Sequence, residues 1–123
     1  MGHVHADVRI MGEKGEAAMK NVIIDTGASY TALPEDVIEK VHAWALPRTV
    51  DLELGDGRIV KANTYAVIIG VGDREAATIA VGFKGAKPAV GVRTLEDLGL
   101  KVDPTSGKLE PTRPKGLAYF YRT

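Results

Sequence analysis

Val22-Ile23-Ile24-Asp25-Thr26-Gly27-Ala28-Ser29 is the stretch on which the reading of this chain turns. Three consecutive β-branched residues predict a buried strand. The acid, hydroxyl and glycine that follow favour a turn. A strand this apolar ends on a carboxylate only where the charge is compensated, because burying an unpaired charge is costly. A second carboxylate facing it across a symmetry axis, the two sharing one proton, is one such compensation. The octet occurs once, so one chain offers one such acid.

Around the octet lies a chain of 123 residues, read as a single domain spanning 1–123 because domains commonly run to about 100–150 residues. A chain of this size buries roughly two-thirds of the surface its unfolded form exposes, enough for a core without staples. It contains no cysteine, which rules out disulfides and thiolate metal sites and suits a reducing compartment. Sixteen basic residues balance sixteen acidic ones, which argues against a nucleic-acid or anionic-membrane partner. No apolar run approaches the ~20 residues needed to cross a bilayer, and the start lacks a signal-peptide h-region. A soluble, cytoplasmic protein is the expectation. Fourteen glycines separating short apolar runs indicate brief strands and tight turns, the pattern of an all-β protein.

Upstream of the octet, Val4, Ala6, Val8 and Ile10 alternate with His3, His5, Asp7 and Arg9, predicting a half-buried strand over 3–10. Met11 to Glu16 reads as a hairpin turn, and a second strand over 17–21 leads into the octet. Tyr30 to Leu33 continues extended. Pro34-Glu35-Asp36 reads as a helix start with proline at the first position and acids in the first turn. Val37, Ile38, Val41 and Trp44 extend that helix over 34–44, with Pro47 beyond it. Val50 to Leu54 and Arg58 to Val60 form a hairpin with its tip at Gly55-Asp56-Gly57. Residues 64–71 and 76–83 form another through Gly72-Asp73-Arg74. Ala89-Val90-Gly91 is a short buried strand, followed by a helix over 94–98 with Thr94 as N-cap and Gly99 just past its end. Leu100 to Val102 and Lys108 to Glu110 flank a turn-rich connector, and 117–121 reads as a terminal strand.

Other features have plain explanations. His3 and His5 share a strand face but lack further ligands, so a solvated face is expected and no metal or cofactor is assigned. Gly70-Val71-Gly72 lacks the Lys-Ser/Thr and helix of a phosphate loop. Tyr119-Phe120-Tyr121 belongs to the core or an interface, since no basic stripe accompanies it.

The order of these features resembles that of retropepsin-like (clan AA, retroviral-type) aspartic proteases of the single-domain cellular or prokaryotic sort. The octet resembles their active-site turn. Leu54-Gly55-Asp56-Gly57 lies where that family carries a hairpin flap over the cleft, and Ala89-Val90-Gly91 with the following helix resembles its second signature. The tail from Leu98 to Pro111 is similar to tails in that group. The resemblance covers most of the chain and implies an all-β, closed acid-protease barrel with one lobe per chain. It implies Asp25 as the catalytic acid and base, Thr26 joining the two turns across a dimer axis, and Gly27 admitting substrate backbone closely. Ala28, where pepsin-like members more often have serine, implies activity at weakly acidic to neutral pH. The implied function is a homodimeric endopeptidase that hydrolyses a peptide or protein substrate with water, without metal or cofactor.

Three departures from the retroviral pattern stand out: the long helix over 34–44, a charged Asp56 at the flap tip, and Val92 followed by Arg93 where retroviral proteases carry Arg directly after the glycine. Two other readings compete: a catalytically silent dimer of the same fold that binds peptides or scaffolds, and an unrelated monomeric β-barrel.

Overall fold

The computed structural model describes residues 4–119; His3, Phe120 and Tyr121, named above, lie outside them. The alternation near the start becomes β1 (Val4–Met11), with Val8 and Ile10 buried on one face. It pairs antiparallel with β2 (Glu16–Ile24), a continuous strand where the sequence suggests two. The join is a β-bulge. Val22 pairs with Ala6, yet Met19 pairs with Val8, so β2 carries one residue more than β1 over this interval. Asn21 sits in the left-handed region at φ 59°, and its N–H donates to the Asp7 carboxylate at 3.0 Å. The extra residue flips the inward parity, so Ala17 and later Val22 and Ile24 all reach the core.

After the Asp25 loop comes β3 (Thr31–Ala32), shorter than the expected extension from Tyr30 to Leu33. The helix expected over 34–44 is corrected to α1 (Glu35–Val41), with Pro34 one position outside it as the cap. Tertiary contacts stop it early. His42 adopts a left-handed cap conformation, and the Val41 and His42 carbonyls accept N–H groups of Lys14 and Glu13 from the β1–β2 turn. Trp44 then opens β4 (Trp44–Glu53), so Pro47 lies within a strand, at an irregularity between Ala45 and Thr49. Proline, which can donate no ladder hydrogen bond, is tolerated there because β4 is an edge strand.

β5 (Ile59–Val71) is a 13-residue strand that changes neighbours along its length. Its first part pairs with β4 and its last four residues pair with β1, while β6 (Arg74–Gly82) follows it on the other side. β7 (Ala89–Val90) joins β2 in parallel, and β3 joins β6 in parallel. The resulting order, β1-β2-β7-β3-β6-β5, returns to β1, so six strands close on themselves and β4 hangs from β5. The chain is thus mostly β with a mixed sheet. Its core joins Val8, Ile10, Val22, Ile24, Leu33, Val41, Val67, Ile69, Val90 and Leu95.

The second helix, expected over 94–98, is α2 (Val92–Leu98). Gly91 occupies the cap, and Thr94 lies inside the helix because its hydroxyl is engaged elsewhere in the core. Gly99 ends α2 at φ 71°. A separate two-stranded sheet follows, β8 (Leu100–Val102) and β9 (Leu109–Pro111). Arg74, 9% exposed, donates to the carbonyls of Leu98, Gly99 and Arg113. Arg113 in turn donates to those of Glu96, Asp97 and Leu117. Two arginines therefore reach carbonyls at and beyond the end of α2, among them those of Asp97 and Leu98, which the helix leaves without an N–H of its own. The strand expected over 117–121 is corrected in its described part, since residues 117–119 are irregular: Leu117 is drawn to Arg113 and Pro114 and not to a neighbouring strand. Among the described residues no helix is long and apolar enough to cross a membrane.

Candidate active site

Asp25 is the first residue beyond β2, on a half-buried turn. Its N–H donates to the Val90 carbonyl at 2.8 Å, which continues the parallel pairing of β2 with β7 by one residue. Its carbonyl accepts the Ala28 N–H at 3.0 Å, closing the turn, and its Oδ1 accepts the Gly27 N–H at 2.9 Å. The carboxylate is thus fixed by its own turn, while no cation pairs with it among the described residues. A side chain at Gly27 would place its Cβ 3.2 Å from that Oδ1, tighter than ordinary contact.

The Ala89-Val90-Gly91 segment supports this turn directly. The N–H groups of Val92 and Arg93 donate to the carbonyls of Ala28 (2.8 Å) and Ser29 (3.3 Å), so the start of α2 holds the back of the Asp25 loop. Gly91 is packed so closely that a Cβ would fall 2.5 Å from the carbonyl carbon and oxygen of Tyr30. Its N–H donates to Thr31 Oγ1 at 3.1 Å, and Thr31 in turn donates to Thr94 Oγ1 at 2.6 Å. The two sequence segments singled out above, with Asp25 and Val90 65 residues apart, are one structural unit.

Opposite the turn stands the β4–β5 hairpin. Leu54 and Arg58 close its tip through a 2.7 Å bond from N–H to carbonyl, and Gly57 takes φ 88°. The Asp56 carboxylate accepts the Arg58 N–H at 3.0 Å and its Nε at 2.8 Å. Those bonds, the backbone one foremost, hold the Asp56 carboxyl below its ordinary range. Along β4, Val50 and Leu52 are half-buried while Thr49, Asp51 and Glu53 are exposed, and Lys61 pairs with Asp51 at 3.2 Å. A cleft of about 710 Å³ separates hairpin and turn, lined by Asp25, Gly27, Ala28, Leu52, Leu54 and Gly55 among others. Its size suits a ligand-binding site.

Of the residues expected at the site, Asp25, Gly27 and Ala28 line this cleft with Leu54 and Gly55 of the hairpin. Thr26 does not. It is exposed and borders a separate cavity of about 480 Å³ with Val92, Leu95, Leu100 and Val102. Asp56 and Gly57 shape the tip, while Ala89, Val90 and Gly91 act from beneath the turn. Tyr30, Ala32, Val81 and Phe83 also line the cleft and were not singled out from the sequence. Tyr30 follows the octet closely enough to have been suspected; Val81 lies at the end of β6 and Phe83 just past it, far along the chain. Arg93, one place later than in the retroviral pattern, sits over the Tyr30 ring at 5.0 Å, a cation–π contact that gives it a role within its own chain. The chain matches no protein-family model and no curated protein.

Proposed function

We infer that the chain is a retropepsin-like aspartic endopeptidase, one lobe per chain, which hydrolyses peptide bonds as a homodimer. The observation that carries this reading is the placement of the half-buried Asp25 turn across one cleft from the β4–β5 hairpin tip. Support also comes from the bonding of that turn to the 89–91 segment, which brings the two stretches that carry the resemblance together.

The chemistry follows from two Asp25 side chains about 3 Å apart. At an effective dielectric of ~20 their repulsion is about 5 kcal/mol. This corresponds to roughly 4 pKa units, so the pair keeps one proton over a wide pH range. The ionised member takes a proton from the attacking water, and the protonated member donates to the carbonyl oxygen as it becomes an oxyanion. The exposed Gly27 leaves room for substrate backbone. The hairpin covers an extended peptide and offers the free edge of β4 for strand addition.

The test is cleavage of a peptide library over a broad pH range by the native chain and by Asp25→Asn. Cleavage by the native chain alone is the expected result. Equal cleavage by both, or none by either, favours a peptide-binding or scaffolding module on the same fold.

A further inference from the structure

Thr31, Thr78 and Thr94 come from β3, β6 and α2, and all three are buried, Thr94 completely (0% exposed). Their hydroxyls meet: Thr31 Oγ1 donates to Thr94 Oγ1 at 2.6 Å, and Thr94 Oγ1 lies 2.8 Å from Thr78 Oγ1. A hydroxyl carries a single proton. Thr31 gives its own to Thr94 while accepting the Gly91 N–H, and either hydroxyl can donate in the bond between Thr94 and Thr78. The bonds link Gly91 through Thr31 and Thr94 to Thr78, the first two running from Gly91 to Thr31 and from Thr31 to Thr94.

This chain of hydroxyls ends on the Asp25 loop. Residues 25–31 are anchored at both ends to neighbouring residues, the Asp25 N–H to the Val90 carbonyl and the Thr31 hydroxyl to the Gly91 N–H. Thr94 does not line the cleft. It fixes the rotamer through which Thr31 holds Gly91, and so fixes the second anchor. We propose that Thr94 is a positioning residue for Asp25, acting through Thr31 and Gly91 to set the orientation of the 25–31 loop. The proposal rests on the aspartic-protease reading and assigns Thr94 a task within it. Thr78, at the far end of the chain, contributes to packing and not to the loop.

Thr94→Val keeps the shape of the side chain and removes both hydrogen bonds, whereas Thr94→Ser keeps the hydroxyl. Thr78→Val removes a hydroxyl of the same network without touching the anchor. Assayed as folded protein well below its unfolding midpoint, Thr94→Val is expected to lose about 10–100-fold in kcat, the scale of a small misplacement. KM should stay within about threefold, because the loss falls on the reacting geometry. Thr94→Ser and Thr78→Val should keep near-native kcat. Thr31→Val breaks the chain one link nearer the loop and should behave as Thr94→Val, so the test does not depend on one variant folding. A native kcat in Thr94→Val, no rescue by serine, or an equal loss in Thr78→Val overturns the proposal.

Hydrogen exchange gives a readout that needs no cleavage. The Asp25 and Ala28 amides should exchange at least about tenfold faster in Thr94→Val, a local opening, and at native rates in Thr94→Ser and Thr78→Val. Unchanged protection in Thr94→Val overturns the positioning role. The expected exchange pattern in a chain that cuts no peptide would sink the protease reading and leave Thr94 as the holder of this loop.

Discussion

Gly91 shows how little freedom the site allows a single residue. Its missing side chain lets the start of α2 lie against the backbone of Tyr30, and a Cβ would come within 2.9 Å of the Ala28 carbonyl oxygen as well. Both neighbours are backbone and cannot swing aside. Gly91→Ala should therefore cost about 1–3 kcal/mol, the usual penalty for overpacking, read as a lower urea midpoint at an unchanged slope. Asp25 and Gly91 were legible in the sequence because turn chemistry and glycine spacing are local signals. Thr94 was not: it reads as an N-cap, since its partners Thr31 and Thr78 lie 63 and 16 residues away. A hydroxyl committed to a tertiary network leaves no trace in its neighbours along the chain.

Among the elements, the hairpins and the end of α2 at Leu98 were legible, while the end of α1 and the start of α2 were not. Alternation and the Gly55-Asp56-Gly57 tip are encoded side by side. α1, by contrast, ends at Val41 because the β1–β2 turn reaches its last carbonyls and Trp44 pairs with Ala66. The β2 bulge was hidden for a related reason, since Asn21 needs Asp7 opposite it to hold the extra residue. The hairpin tip carries a pH signature of its own. Hydrogen bonds from Arg58 lower the Asp56 carboxyl below its ordinary 3.8. The folded group therefore binds protons more weakly than the unfolded one. The clasp contributes fully above about pH 4 and is lost as the pH falls through the lowered value. Protection of the Arg58 amide should follow that course, and Asp56→Ala should show the acid behaviour at every pH. Arg74 tests the other end of the barrel. Arg74→Met removes the shared donor of the Leu98, Gly99 and Arg113 carbonyls; the buried Leu98 carbonyl loses its partner, while that of Gly99 keeps the Thr112 N–H. A loss on the order of 3 kcal/mol is expected, measured by denaturant unfolding, with the Asp25 loop itself undisturbed.

At the scale of the molecule, one closed barrel offers one half-buried Asp25 beside an exposed Thr26. The proposed mechanism needs two carboxylates, so on that reading catalysis depends on how often two chains meet. Specific activity should fall on dilution once the concentration drops below the dimer dissociation constant, and light scattering should show the monomer appear over the same range. A mixing experiment separates this from simple instability. Asp25→Asn subunits supply the fold and the hairpin but no second acid, so each native chain they capture is silenced. With random pairing, a tenfold excess leaves about one native chain in eleven with a native partner, and activity should drop toward that fraction. Adding an equal amount of an unrelated protein should leave it unchanged. Undiminished activity in the mixture would mean that one Asp25 suffices, and the paired-carboxylate mechanism would fall with it.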